Sequence, residues 1–211
     1  WTVPSSLGFI VGSIAAPLLV RHLRPESALI CGLSVSVLGF CVLAQTSPGS
    51  HVAYVVVGSV LLAVGVAPVM TLSTDRIVGF APPERAGAAA ALSETGAELG
   101  GALGIALLGS VVSAVYRRQM SDLDAFGLSA LASSTTRDTL SGALASAPEL
   151  PAALSQALLA RARQGFTSGM HWTAAFSALV LIGLALVTAR QLRLARLAPS
   201  QHSASAGPAE R

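Results

Sequence analysis

AGAAAALSETGAELGGALGIALLGSVVSAVY, residues 86–116, is apolar and long enough to cross a bilayer as one helix, yet it carries two carboxyl groups, Glu94 and Glu98. A helix rises about 1.5 Å per residue, so roughly 17 to 25 residues span about 30 Å of hydrocarbon. Ionisable groups at that depth are expensive and mark function more often than structure. Their spacing of four residues puts both on one helix face.

The rest of the chain has the same membrane character. Of 211 residues, 53% are hydrophobic and 11% charged, and the mean hydropathy is +0.68. All 13 basic residues are arginine. They fall in short clusters beside apolar runs and form no continuous basic face, so the pI near 9.5 reflects a positive-inside pattern and not nucleic-acid binding. Cys31 and Cys41 lie in one apolar run, which predicts small buried hydrophobes and neither a disulfide framework nor a metal site. With no initiator Met or signal peptide, and Trp1 opening directly in an apolar run, the sequence reads as a fragment of a larger protein.

Four more segments qualify as spans: 2–20, 28–44, 53–73 and 172–189. Alternate connections carry arginine: Arg21 and Arg24 after the first span, Asp75, Arg76, Glu84 and Arg85 in a turn before the fourth, and Arg190, Arg193 and Arg196 after the fifth. The positive-inside rule places these in the cytoplasm. Tyr54, Tyr116 and Trp172 then fall at the outer interface as an aromatic belt.

The reading is therefore an all-α polytopic transmembrane bundle. Residues 1–116 hold four transmembrane helices (2–20, 28–44, 53–73, 86–116). Residues 117–171 form an extracellular, partly helical insertion with pieces at 136–146 and 151–164. Residues 172–189 are the final span, and 190–211 a cytoplasmic tail whose Ser/Ala/Pro/Gly composition predicts disorder.

Two carboxylates one turn apart in a poorly hydrated site do not both ionise easily, because desolvation and mutual repulsion each raise proton affinity. A cation arriving there stabilises the ionised form and displaces a proton, which is the physical core of cation/proton exchange. The bland alternative is a pair of protonated acids acting as interhelical hydrogen-bond glue. Gly96, Gly100 and Gly104 recur every four residues on a neighbouring sector and predict a helix-packing ridge. Gly8, Gly12, Gly58 and Gly65 read the same way, and Pro68 as a kink.

Enzyme signatures are absent. The sequence has no phosphate-binding Gly-rich loop, no His-Glu-x-x-His, no Cys-x-x-Cys and no Gly-x-Ser-x-Gly. Ser93 beside Glu94 has no histidine near it in sequence, and His22, His51, His171 and His202 read as solvated or interfacial. No cofactor, catalytic residue or metal ligand is expected.

The run APPERAGAAAALSETGAELGGALGIALLGS (81–110), with GFIVGSIAAPLLV (8–20) before an arginine loop and GVAP (65–68) before Asp75 and Arg76, resembles the 14-helix drug:proton antiporters of the major facilitator superfamily, similar to QacA- and SmvA-like quaternary-ammonium exporters. The resemblance implies a major facilitator fold of which this chain supplies the last five helices of the C-terminal half. It implies that Glu94 and Glu98 match the paired acids on the penultimate helix, engaged in cationic-drug recognition and proton coupling. It further implies multidrug efflux and antibiotic resistance at the bacterial plasma membrane, with protons, cationic or amphipathic small molecules, the lipid bilayer and the missing N-terminal half as partners. The family's motifs in its first half are outside this sequence. An exporter of an endogenous metabolite or antibiotic, and a non-transporting membrane fragment, stay open as alternatives.

Overall fold

Long apolar stretches with few breakers produce long helices. The computed structural model describes residues 3–47, 49–121 and 134–197. Its elements are α1, Val3–His22; α2, Pro25–Leu43; α3, Val52–Gly79; a 3-10 turn, Pro83–Arg85; α4, Ala86–Met120; α5, Ser134–Asp138; α6, Leu140–Ser146; a second 3-10 turn, Ala147–Glu149; and α7, Ala152–Leu197. Every regular element among the described residues is helical. Five helices are long and apolar enough to cross a membrane: α1, α2, α3, the stretch Pro83–Met120 and the stretch Ala152–Leu194.

Local sequence explains the boundaries. Pro25 opens α2, where a missing N–H is harmless, and Glu26 sits in its first turn against the positive end of the helix dipole. Gly49, at φ 98°, reverses the chain between α2 and α3. Pro83 starts the 3-10 turn that leads into α4. Asp75 and Arg76, read from sequence as part of a turn, lie inside α3, which continues to Gly79. There the Arg76 guanidinium donates to the Glu26 carboxylate and ties the end of α3 to the start of α2.

α1 and α2 both pack along α3; α7 packs on α2 and α4, and α3 touches α4 only slightly. The spans thus follow one another in the spatial order α1, α3, α2, α7, α4. The α2–α3 contact is the closest. A Cβ placed on Gly65 would lie 2.4 Å from Ser36 Oγ and 2.6 Å from the Gly32 carbonyl oxygen, and one on Gly32 would lie 2.7 Å from the Gly65 carbonyl oxygen. Backbone meets backbone here, as small-residue seams between membrane helices require. Ser36 is fully buried and its hydroxyl donates to the Gly32 carbonyl, so its polarity is satisfied locally.

Three sequence expectations change. The pieces read at 151–164 and 172–189 form one helix, α7, of 46 residues, about 69 Å long. Arg161, Arg163 and His171 do not break it, because charged side chains interrupt an apolar face without disturbing backbone hydrogen bonds. The same helix carries residues 190–197, so that part of the expected disordered tail is helical; residues 198–211 lie outside the described residues, as does the stretch 122–133 of the insertion. Cys31 and Cys41 are free and exposed in this chain, not buried. On a membrane helix an apolar side chain is as well placed against lipid as against protein.

α4, with 35 residues, is about 52 Å long, some 20 Å more than the hydrocarbon needs. Its far end and α7 support a small core of Tyr116, Met120, Ala143, Leu158 and Ala162 beneath α6. Tyr116 is 2% exposed, so it is not the interfacial belt residue expected from sequence. Its hydroxyl donates to the carbonyls of Thr136 and Thr139 at 3.2 and 2.9 Å. Removing that hydroxyl by Tyr116→Phe leaves two acceptors to be satisfied elsewhere, and about 1–2 kcal/mol of local stability is expected to be lost. Faster amide hydrogen exchange in α5 and α6, with α1–α3 unchanged, is the expected reading.

Candidate functional site: an uncovered acidic face on α4

α4 touches its neighbours along one stripe. Ala89, Ser93, Gly104, Leu108 and Val115 are half-buried, while Tyr116 and Met120 alone are buried. Ser93 Oγ lies 3.3 Å from Thr74 Oγ1 of α3. Glu94 is the next residue, turned about 100° around the axis, and Glu98 follows one turn later. Both are exposed in this chain, and neither makes a hydrogen bond or ion pair among the described residues. Leu92, Leu99 and Leu103, on the opposite side of the helix, are exposed as well, Leu92 to 71%.

Gly96 and Gly100 are exposed, while Gly104 is half-buried on the contact stripe. A Cβ built on any of them meets nothing within 4 Å. The close packing in this chain belongs instead to the glycines of α1, α2 and α3, of which Gly32 and Gly39 were missed in the sequence. Their signal was available: Gly32, Ser36 and Gly39 are small residues spaced four and three apart on one face of α2.

A cleft of about 360 Å³ opens where α2, α3, α4 and α7 converge, with Phe40, Leu62, Gly104, Leu107, Phe176 and Val180 among its walls. Gly104 lies six residues beyond Glu98, about 9 Å along α4. The chain therefore sets an apolar recess within two turns of Glu98 and three of Glu94, measured along the helix axis. Sequence reading did not find this cleft, because its walls come from four helices whose relative order is a tertiary property.

The aromatic and basic residues beyond the cleft also converge. His171 Nε2 lies 2.6 Å from the Thr46 carbonyl oxygen and ties α7 to the α2–α3 turn, a contact not foreseen from the sequence. Gly165 and Gly169 let α7 approach α4, with the latter's Cβ position 3.1 Å from Val112.

No protein-family model and no solved structure matches the chain. Curated relatives do. The chain is 33% identical over 186 residues to the multidrug efflux pump LfrA of Mycolicibacterium smegmatis, covering 88% of this chain and 36% of that protein. It is 32% identical over 104 residues to a tetracenomycin C resistance and export protein of Streptomyces glaucescens, covering 49% and 19%. It is 30% identical over 125 residues to a puromycin resistance protein of Streptomyces alboniger, covering 57% and 25%. The chain thus spans about a third or less of the length of these relatives. Five apolar spans and this pattern of identity make it a membrane protein and a homologue of major facilitator-type drug efflux and resistance proteins.

Proposed function

We propose that this chain is part of a longer, proton-coupled exporter of cationic or amphipathic compounds in a bacterial plasma membrane, and that Glu94 and Glu98 bind substrate charge and protons in turn. The carrying observation is the pair's position: two carboxyls one turn apart on an apolar span, on a surface this chain leaves uncovered, within three turns of an apolar recess along the helix axis. A partner half packed over α4 would turn that surface into the wall of a central cavity, where desolvation makes loss of a proton and gain of a cation mutually dependent. The exposed Gly96 and Gly100 would let that half approach closely. An acidic pair beside greasy volume selects for charge and hydrophobicity more than for shape, as loose specificity requires. The exposure of α4 favours transport by the assembled protein and not by these five helices alone.

A second reading, export of an endogenous antibiotic or metabolite, draws on the two Streptomyces relatives, whose names record resistance to particular antibiotics. In that case the pair would carry protons only.

The reconstituted parent protein tests the proposal directly. In vesicles holding a pH gradient, adding a lipophilic cation is expected to dissipate the gradient within the time of transport, and a neutral analogue of equal size to have a much smaller effect. A cation flux that leaves the gradient intact would rule out exchange. Dissipation by an antibiotic and not by simple cations would favour the second reading.

A further inference from the structure

The acidic pair is not centred in the membrane. α2 has 19 residues and is about 28 Å long, close to the hydrocarbon thickness of about 30 Å. Its two ends therefore mark the two membrane surfaces. At one end Glu26 accepts from Arg76 of α3; just past the other, the Thr46 carbonyl faces His171 of α7. The Glu26–Arg76 pair thus defines a charged layer at the surface where α2 begins, α3 ends and α4 begins.

The hydroxyl contact between Thr74 and Ser93 sets the level of α4 against that layer. Arg76 lies two residues beyond Thr74 toward the surface, and Glu94 lies one residue beyond Ser93 away from it. At 1.5 Å per residue, Glu94 is then about 4.5 Å inside the layer and Glu98 about 10.5 Å. Side chains on a helix tilt toward its N-terminus, which on α4 is the surface end. The Glu94 carboxyl therefore leans back to the charged layer, within reach of headgroups and water, while the Glu98 carboxyl stays about one turn further in. One turn to either side of Glu98 on α4 stand Glu94, Thr95, Gly101 and Ala102, and the Thr95 hydroxyl is committed to the Ala91 carbonyl at 2.8 Å. The charged groups on the neighbouring helices are Asp75 and Arg76 of α3 and Glu26 of α2, all at or near the layer. α3 carries no titratable residue between Tyr54 and Asp75, and α7 none between His171 and Arg190. Among the described residues no other charged group lies as deep as Glu98.

We propose, building on the export reading above, that the two carboxyls divide the work by depth. Glu94 takes a cation from water at the arginine-rich, cytosolic surface, and Glu98 is where that cation and a proton exclude one another. A carboxylate in reach of water keeps its hydration and holds or loses a cation at little cost. A carboxylate one turn deeper lacks that solvent, so a cation or a proton must take its place. As the cation passes from Glu94 to Glu98, the proton of the Glu98 carboxyl moves the other way, to the Glu94 carboxylate and then to water. The pair and its cation together stay neutral until that proton is released.

The test uses the full-length parent with its cysteines replaced by serine, including the exposed Cys31 and Cys41. In inside-out vesicles, a membrane-impermeant methanethiosulfonate reagent is expected to modify Glu94→Cys at least about tenfold faster than Glu98→Cys. Equal rates, or faster modification of Glu98→Cys, would overturn the proposal. Equilibrium binding of tetraphenylphosphonium, measured without flux from neutral to acid pH, supplies the functional arm. Glu94→Gln is expected to bind about tenfold more weakly yet still to lose the cation on acidification. Glu98→Gln is expected to bind at a level independent of pH, and Glu98→Asp, which keeps the acid, to restore the dependence. A pH dependence lost in Glu94→Gln and kept in Glu98→Gln would sink the assignment. Binding unchanged in both glutamine variants at every pH would refute the export reading itself, even with labelling rates as expected. Weakened binding with equal labelling would leave that reading standing and remove only the division of tasks.

Discussion

Gly65→Leu is expected to abolish the folded bundle. A Cβ alone at this position falls 2.6 Å from both the Gly32 carbonyl oxygen and the Ser36 amide nitrogen. These are backbone atoms, so no rotamer change relieves the clash. Inserting extra methylenes into packed cores typically costs 1–3 kcal/mol, and forcing two helix backbones apart along their whole contact exceeds that range. Against a total stability of about 5–15 kcal/mol, the loss removes most of what holds α1, α2 and α3 together, because α3 is the helix on which the other two pack. Thermal scans in detergent, read by loss of monodispersity, check this. Gly100→Leu is the matched control: its Cβ meets nothing, so this chain is expected to fold normally with it. If both variants behave alike, the seam is not what holds the helices.

The second large effect concerns the carboxyl pair. Glu94→Gln and Glu98→Gln preserve volume and hydrogen-bonding capacity while removing the charge. A hydrogen bond to a charged group contributes roughly 1.5–3 kcal/mol, and 1.4 kcal/mol is a factor of ten. Each substitution is therefore expected to weaken export of a cation in the full-length protein by about tenfold or more. The double variant is expected to lose response to an imposed pH gradient. Export of a neutral amphipath through facilitated exchange should suffer less, since it depends on apolar walls. Made in these five helices alone, none of the three variants should lower the melting temperature, because neither glutamate makes a hydrogen bond or ion pair among the described residues. Full coupling retained in the double variant would move the proton site elsewhere.

Much of this architecture was legible before any coordinates. Spans could be counted because hydropathy over twenty residues is a property of one segment and does not depend on its neighbours. Glu94 and Glu98 stood out for the same reason: they are charges inside such a segment. What eluded the sequence was relational. Arg161, Arg163 and His171 looked like a break between two helices, yet Gly165 and Gly169 seat that stretch of α7 against α4 and the helix continues. Tyr116 looked like an interfacial anchor, yet its hydroxyl is claimed by two carbonyls from a segment twenty residues away. Cys31 and Cys41 looked buried because inward and outward positions on a membrane helix share one composition. Glycine spacing was visible in α3 and in α4 alike, and only the structure distinguishes the seam that is filled from the ridge that is open.

The spatial order of the helices bears on how the chain is made. α4 emerges from the ribosome long before α7, the neighbour it contacts most, and its other contact, with α3, is slight. Within this chain, insertion of a segment with two glutamates therefore rests largely on its own leucines, alanines and valines. At the helix centre an acidic residue opposes insertion by about 2.5–3.5 kcal/mol. The surplus length of α4 is then more than a support for the outer core: every extra apolar turn helps to commit the helix during the interval before α7 arrives.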